Sequence, residues 1–127
     1  MSSCRALWGS AENDEAVEGL VELAEDDWMH IGALAFEVRR RLPDDAGLSE
    51  RAAALGKLVG VLIDHGVVPG DLGVEPDLQP WPGTRQERID RVVRETLDLN
   101  RMPGPTEIAW FYYLPDRDPR RIDRTNS

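Results

Sequence analysis

Residues 67–82 read Val67-Val68-Pro69-Gly70-Asp71-Leu72-Gly73-Val74-Glu75-Pro76-Asp77-Leu78-Gln79-Pro80-Trp81-Pro82. Four prolines in this stretch rule out a helix, because proline lacks the amide that helical hydrogen bonding needs. Pro69-Gly70 signals a turn, and Val67-Val68 predict a short strand leading into it. The stretch therefore predicts a β-ribbon or an ordered loop, with Trp81 plugging back onto a core.

The chain before this ribbon is helical in pattern. Between Ala11 and Ala24, the residues Val17, Leu20, Val21 and Ala24 recur at i, i+3, i+4 and i+7, one apolar stripe of an amphipathic helix. Its other face carries Glu15, Glu18, Glu22 and Glu25, and Gly19 in its middle weakens it by about 1 kcal/mol relative to Ala. Asp26 or Asp27 then predicts the cap of a second helix, because a short carboxylate accepts from orphan amides at the positive dipole end. Trp28, Ile31, Ala35, Val38 and Leu42 form its expected buried stripe, Arg39 to Arg41 fill its last turn, and Pro43 stops it. Ser49 predicts the cap of a third helix. Ala52, Leu55, Val59 and Leu62 run down one face, widened by Leu58, Val61 and Ile63, and Gly66 suits the left-handed position that ends it.

Beyond the ribbon, Thr84-Arg85-Gln86-Glu87 reads as a capping box opening a fourth helix, with Ile89, Val92, Val93, Thr96 and Leu97 on its buried side. Glu87/Arg91, Asp90/Arg94 and Arg91/Glu95 are opposite charges at i, i+4, so its arginines are expected to be partnered within the helix. Met102-Pro103-Gly104-Pro105 ends it. Glu107 to Leu114 (EIAWFYYL) is the one strongly β-prone run. The order predicts a small α+β domain of four helices with a short β-ribbon or sheet, winged-helix-like in its first three helices and ribbon. Residues 1–10 read as a flexible leader, 11–115 as a single globular domain, and 116–127 as a disordered polar tail.

Composition bounds the function. The 127 residues carry 24 acidic and 15 basic side chains, a net charge of −9, which argues against a free-standing nucleic-acid binder. One cysteine, Cys4, requires no oxidising compartment. The absence of a long apolar run or signal-peptide core makes cytoplasmic the expected location.

Chemical motifs are sparse. His30 and His65 are the only histidines and have no metal-ligand spacing around them, so no metal or other cofactor is implied. The serines sit near the termini or at a helix cap, without a nucleophile elbow. Gly56 and Gly60 form GxxxG inside a helix, a mark of close helix packing in a soluble protein rather than a phosphate loop. His65 is expected to stabilise a helix end, and His30 to cap or pack. A small enzyme that uses surface-cleft carboxylates is a third reading, but abundant surface acids do not specify one. As a winged-helix regulator, the third helix would offer DNA only Arg51 and Lys57, with Arg39 to Arg41 nearby.

The acidic run is the remaining feature. From Glu12 to Asp27 there are eight acids and no base. Such a run serves either as a solvated face that aids solubility or as an electrostatic docking surface for a basic partner. On the second reading Glu15, Glu18, Glu22, Glu25, Asp26 and Asp27 carry the charge. An exposed Trp8 or Trp81 would add the apolar anchor, although Trp28, Trp81 and Trp110 are expected in the core.

Five segments also resemble a known group: Glu25-Asp26-Asp27-Trp28, the run Leu62 to Leu72 (LIDHGVVPGDL), Pro80-Trp81, Arg88-Ile89 and Ile108-Ala109-Trp110-Phe111. Together these are similar to a group of small bacterial proteins, actinobacterial ones among them. In that group an acidic-Trp helix start precedes a Pro-Gly-Asp turn, a Pro-Trp leads a helix, and an Ile-Trp-Phe strand closes the domain. The resemblance spans residues 20–114 and rests on turns and Trp plugs, so it speaks for fold more than activity. It departs from the pattern at Asp98-Leu99, after which the loop is in question. An association of the group with immunity proteins of bacterial toxin systems implies a non-enzymatic, protein-binding role: an immunity protein or antitoxin docking on a basic toxin.

Overall fold

The computed structural model describes Trp8 and residues 14–72, 78–104 and 107–114. The elements are α1 (Glu15–Asp26), β1 (Met29–His30), α2 (Ile31–Arg41), α3 (Leu48–Asp64), β2 (Val67–Leu72), β3 (Leu78–Pro80), α4 (Arg85–Leu99) and β4 (Trp110–Tyr113). The protein is a small α+β domain, as its periodicities predict. The expected tail, and the leader apart from Trp8, lie outside the described residues.

α3 is the central element. Ala52, Ala54, Leu55, Gly56, Leu58, Val59, Gly60 and Leu62 are all buried, so apolar contacts surround most of its circumference. α4 lies against the glycine side. A β-carbon built on Gly56 would come 2.6 Å from Val93 Cγ2, and one on Gly60 would come 2.8 Å from Ile89 Cδ1. The GxxxG pattern is therefore a helix-packing device here. Gly66, at φ 85°, ends the helix as expected, following His65 at the C-cap position.

The sheet is antiparallel throughout, in the order β1-β4-β2-β3. β4 sits inside it because its aromatic run can pair on both edges. Phe111 faces Met29 on one side and Pro69 on the other, and is fully buried. This departs from a plain winged-helix sequence of elements: a fourth helix follows the β2–β3 hairpin, and β4 then inserts between β1 and β2.

Several local expectations are corrected. α1 starts at Glu15, not Ala11: Asp14 is its N-cap, and its carboxylate accepts from the amides of Ala16 and Val17 at 3.0 and 3.3 Å. Asp26 and Asp27 do not cap α2. Asp26 ends α1 and Asp27 is its C-cap, while α2 begins after His30. The intervening Met29–His30 is captured as β1 by β4, a strand some eighty positions on that no local signal could anticipate. Trp28 consequently leaves the core and is 39% exposed, and Met29 takes the buried place.

At α3 the N-cap is Gly47 and not Ser49; the turn before it is held by Arg51, which donates to the carbonyls of Ala46 and Asp44. β4 is shorter than Glu107–Leu114 because Ile108 adopts φ 61°, outside strand geometry. α4 stops at a left-handed Asn100 before the proline cluster is reached.

The capping box is formed in both directions: Glu87 N donates to Thr84 Oγ1 at 3.1 Å and Thr84 N to Glu87 Oε1 at 2.8 Å. The arginines beyond it are not mainly intrahelical. Of the three expected i, i+4 pairs only Arg91–Glu95 is present, at 2.7 Å. Arg85 pairs with Asp64 at the end of α3, Arg88 donates to the Trp81 carbonyl, and the Arg91 guanidinium stacks 3.7 Å from the Trp81 ring centroid. These contacts staple α4 to α3 and to the ribbon.

Candidate functional site

α1 buries Val17, Leu20, Val21 and Ala24. With about 100° per residue, the opposite side carries Glu15, Glu18, Glu22 and Glu25 as a second stripe, continued by Asp26 and Asp27. All six of these predicted docking carboxylates are exposed, and they form one surface. Among the described residues, Glu15, Glu18, Glu22 and Asp26 make no ion pair. Asp14 is different in kind: besides capping α1, it accepts from Arg41 Nη2 at 2.8 Å, so it is part of the scaffold.

Neither predicted tryptophan anchor is available. Trp81 is 1% exposed, covered by Arg91. Trp8, expected in a loose leader, is 4% exposed; its indole N–H donates to the Ala54 carbonyl at 2.9 Å and Arg41 stacks over its ring. Large aromatic rings gain more from burial in the core than from a surface position, and both found places there. Apolar side chains that do face solvent include Leu23, 55% exposed, Trp28 directly after Asp27, and Phe36, 57% exposed on α2. The spacing gave a partial signal for Leu23, which lies off the stripe of Val17, Leu20, Val21 and Ala24. Phe36 likewise lies off the stripe of Ile31, Val38 and Leu42.

Beside the acidic stripe runs a groove of about 490 Å³ between α1 and α2. Ala16, Gly19, Leu20 and Leu23 form its α1 wall, and Glu37, Arg40 and Arg41 its α2 wall. Its guanidinium groups are engaged, Arg40 with Glu37 at 3.1 Å and Arg41 with Asp14.

The other candidates find less support. α4 covers one side of α3 and the core much of the rest; the face it leaves exposed carries Glu50, Ala53, Lys57 and Asp64, two acids against one base, which is poor chemistry for a DNA backbone. Among the described residues no group of His, Cys, Asp and Glu could hold a metal ion. His30 packs edge-on against Trp110, at 6.2 Å between centroids. One carboxylate is strongly perturbed: Glu107 is pulled from 4.5 to about 2, first by the hydrogen bond from Arg101 and then by the Gly104 amide. That exposed pair clamps the loop before β4, and a single carboxylate held by an arginine does not make an acid/base pair. No described helix is long and apolar enough to cross a membrane. Comparison with family models, curated proteins and solved structures returned no match.

Proposed function

We propose that the protein binds another protein through the acidic face of α1, and that its partner presents a basic surface. The observation that carries this reading is the placement of six exposed carboxylates on one helix and its C-cap. Helix stability does not account for them. Glu15 and Glu18 suit the positive end of the helix dipole, but Asp26 and Asp27 lie at the negative end, where the last turn holds no base. Each misplaced charge there costs about 0.3–1 kcal/mol. Solubility alone would be served by acids anywhere on the surface.

A compact field of one sign raises the association rate and helps select the partner. An immunity protein or antitoxin fits this chemistry well, since a nuclease toxin must be basic where it holds phosphate and a small acidic domain can cover that site.

The test is kinetic. A partner captured on the immobilised protein is recombined in stopped flow with wild type and with the Glu15→Lys/Glu18→Lys/Glu22→Lys variant. The association rate of the variant should fall by about tenfold or more at low salt, and the difference should shrink as salt screens it. Equal rates at low salt would discard the docking role of α1.

A further inference from the structure

We infer that the groove between α1 and α2 seats an apolar side chain from a basic amphipathic segment of a protein partner, in the space that Gly19 leaves beside Leu23 in the α1 wall. The inference rests on the reading of α1 as a docking face and adds the anchor that neither Trp8 nor Trp81 can provide.

Gly19 is the first observation. Glycine weakens a helix interior, so its presence there calls for a steric reason. At Gly56 and Gly60 the reason is internal, because an added β-carbon would run into α4 at 2.6 and 2.8 Å. At Gly19 an added β-carbon meets nothing within 4 Å. Among the described residues no packing needs this glycine. The space its missing side chain leaves opens into the groove, which it lines together with Ala16 and Leu20.

The second observation is Leu23, one turn further along the same wall and 55% exposed. A gap at Gly19 beside an uncovered leucine gives an incoming apolar side chain both room in the α1 wall and an apolar surface to rest on.

Charge decides the kind of occupant. The groove is lined by three carboxylates, Asp14, Glu15 and Glu37, against Arg40 and Arg41, and both arginines are held by carboxylates of that set. Its α1 rim continues into Glu18, Glu22 and Asp26. An apolar residue flanked by lysines or arginines matches this pattern, and an acidic segment is repelled by it. An amphipathic helix laid along the groove presents such residues at i, i+3 and i+4.

The experiment uses the isotope-labelled full chain and two probes, a short amphipathic helical peptide of leucine and lysine and an oligolysine of equal length. Amide shifts on adding the leucine–lysine peptide should concentrate at Gly19, Leu20, Leu23 and Arg40. Gly19→Leu, which fills the groove, should weaken that peptide by about tenfold and leave oligolysine binding unchanged. Gly19→Ala guards against misfolding: it should raise the thermal midpoint and still weaken the peptide, a pairing that a purely structural glycine would not give.

If Gly19→Leu leaves the leucine–lysine peptide unaffected while Glu15→Lys/Glu18→Lys/Glu22→Lys abolishes both probes, the groove is not the seat and the acidic docking face stands. If neither probe binds, both ideas fall. A dimer in sedimentation that Gly19→Leu dissociates would give the groove to a second copy of this chain and overturn the inference.

Discussion

Replacing Gly56 with alanine tests the central packing of the fold, because two opposing effects can be weighed from the structure. Alanine favours a helix over glycine by about 1 kcal/mol. Against this, the new β-carbon would lie 2.6 Å from Val93 Cγ2 and 3.1 Å from Ile89 Cγ2. Both are methyls on β-branched side chains, whose first torsion is nearly locked in a helix, so neither can swing aside. Relief requires α4 to move off α3, and overpacking of this kind costs about 1–3 kcal/mol. The net expectation is a loss of about 1 kcal/mol.

Gly19→Ala is the internal control, since its β-carbon meets nothing and it should gain about 0.4–1 kcal/mol. The two variants should therefore differ by about 2 kcal/mol, or about 8 °C in midpoint for a domain of this size. Gly60→Ala belongs between them. Its nearest atoms, Arg85 Nη2 and Ile89 Cδ1, are the ends of flexible side chains that can give way. Urea unfolding followed by tryptophan fluorescence, with an unchanged m-value, reads all three. A Gly56→Ala midpoint equal to or above that of Gly19→Ala would refute the close approach of α3 and α4.

Two further outcomes follow from polar groups. Thr96 is fully buried in α4 and its hydroxyl has no hydrogen-bond partner among the described residues, so Thr96→Val should stabilise the protein by about 1 kcal/mol in the same urea assay; a loss of stability would show that the hydroxyl is satisfied. The Glu107 carboxylate sits below its ordinary value, so its ion pair with Arg101 contributes fully above about pH 4.5 and loses that contribution as pH falls towards about 2. Thermal midpoints of wild type and Glu107→Gln should differ at neutral pH and converge in acid, and a gap that persists at pH 2 would contradict the pairing.

How much of this was legible in the chain varies by element. The periodic stripes of α1 and α3, the capping box of α4 and the left-handed Gly66 rest on neighbouring residues, and each is found where its pattern puts it. β1 was not legible, because Met29–His30 has no strand signal of its own and exists through pairing with Trp110 and Phe111. The α4 arginines were misassigned for a similar reason. An i, i+4 partner is always visible in sequence, but Asp64, the Trp81 carbonyl and the Trp81 ring become competitors once the chain is folded. Within the candidate site, the acidic stripe was readable and its apolar companions were not. Tryptophan's size made Trp8 and Trp81 natural anchors, and the same size drew both into the core.

The sequence by itself determined the α+β class, the four helices and the single-signed face of α1, because helical period, capping chemistry and charge are carried by residues within a few positions of one another. Only the tertiary structure decided the β1-β4-β2-β3 order, the burial of Trp8, and the groove in which Gly19 and Leu23 lie open. Those outcomes depend on which distant surfaces meet, and it is the close contact of packed elements, not any local preference, that selects which apolar groups are left in water.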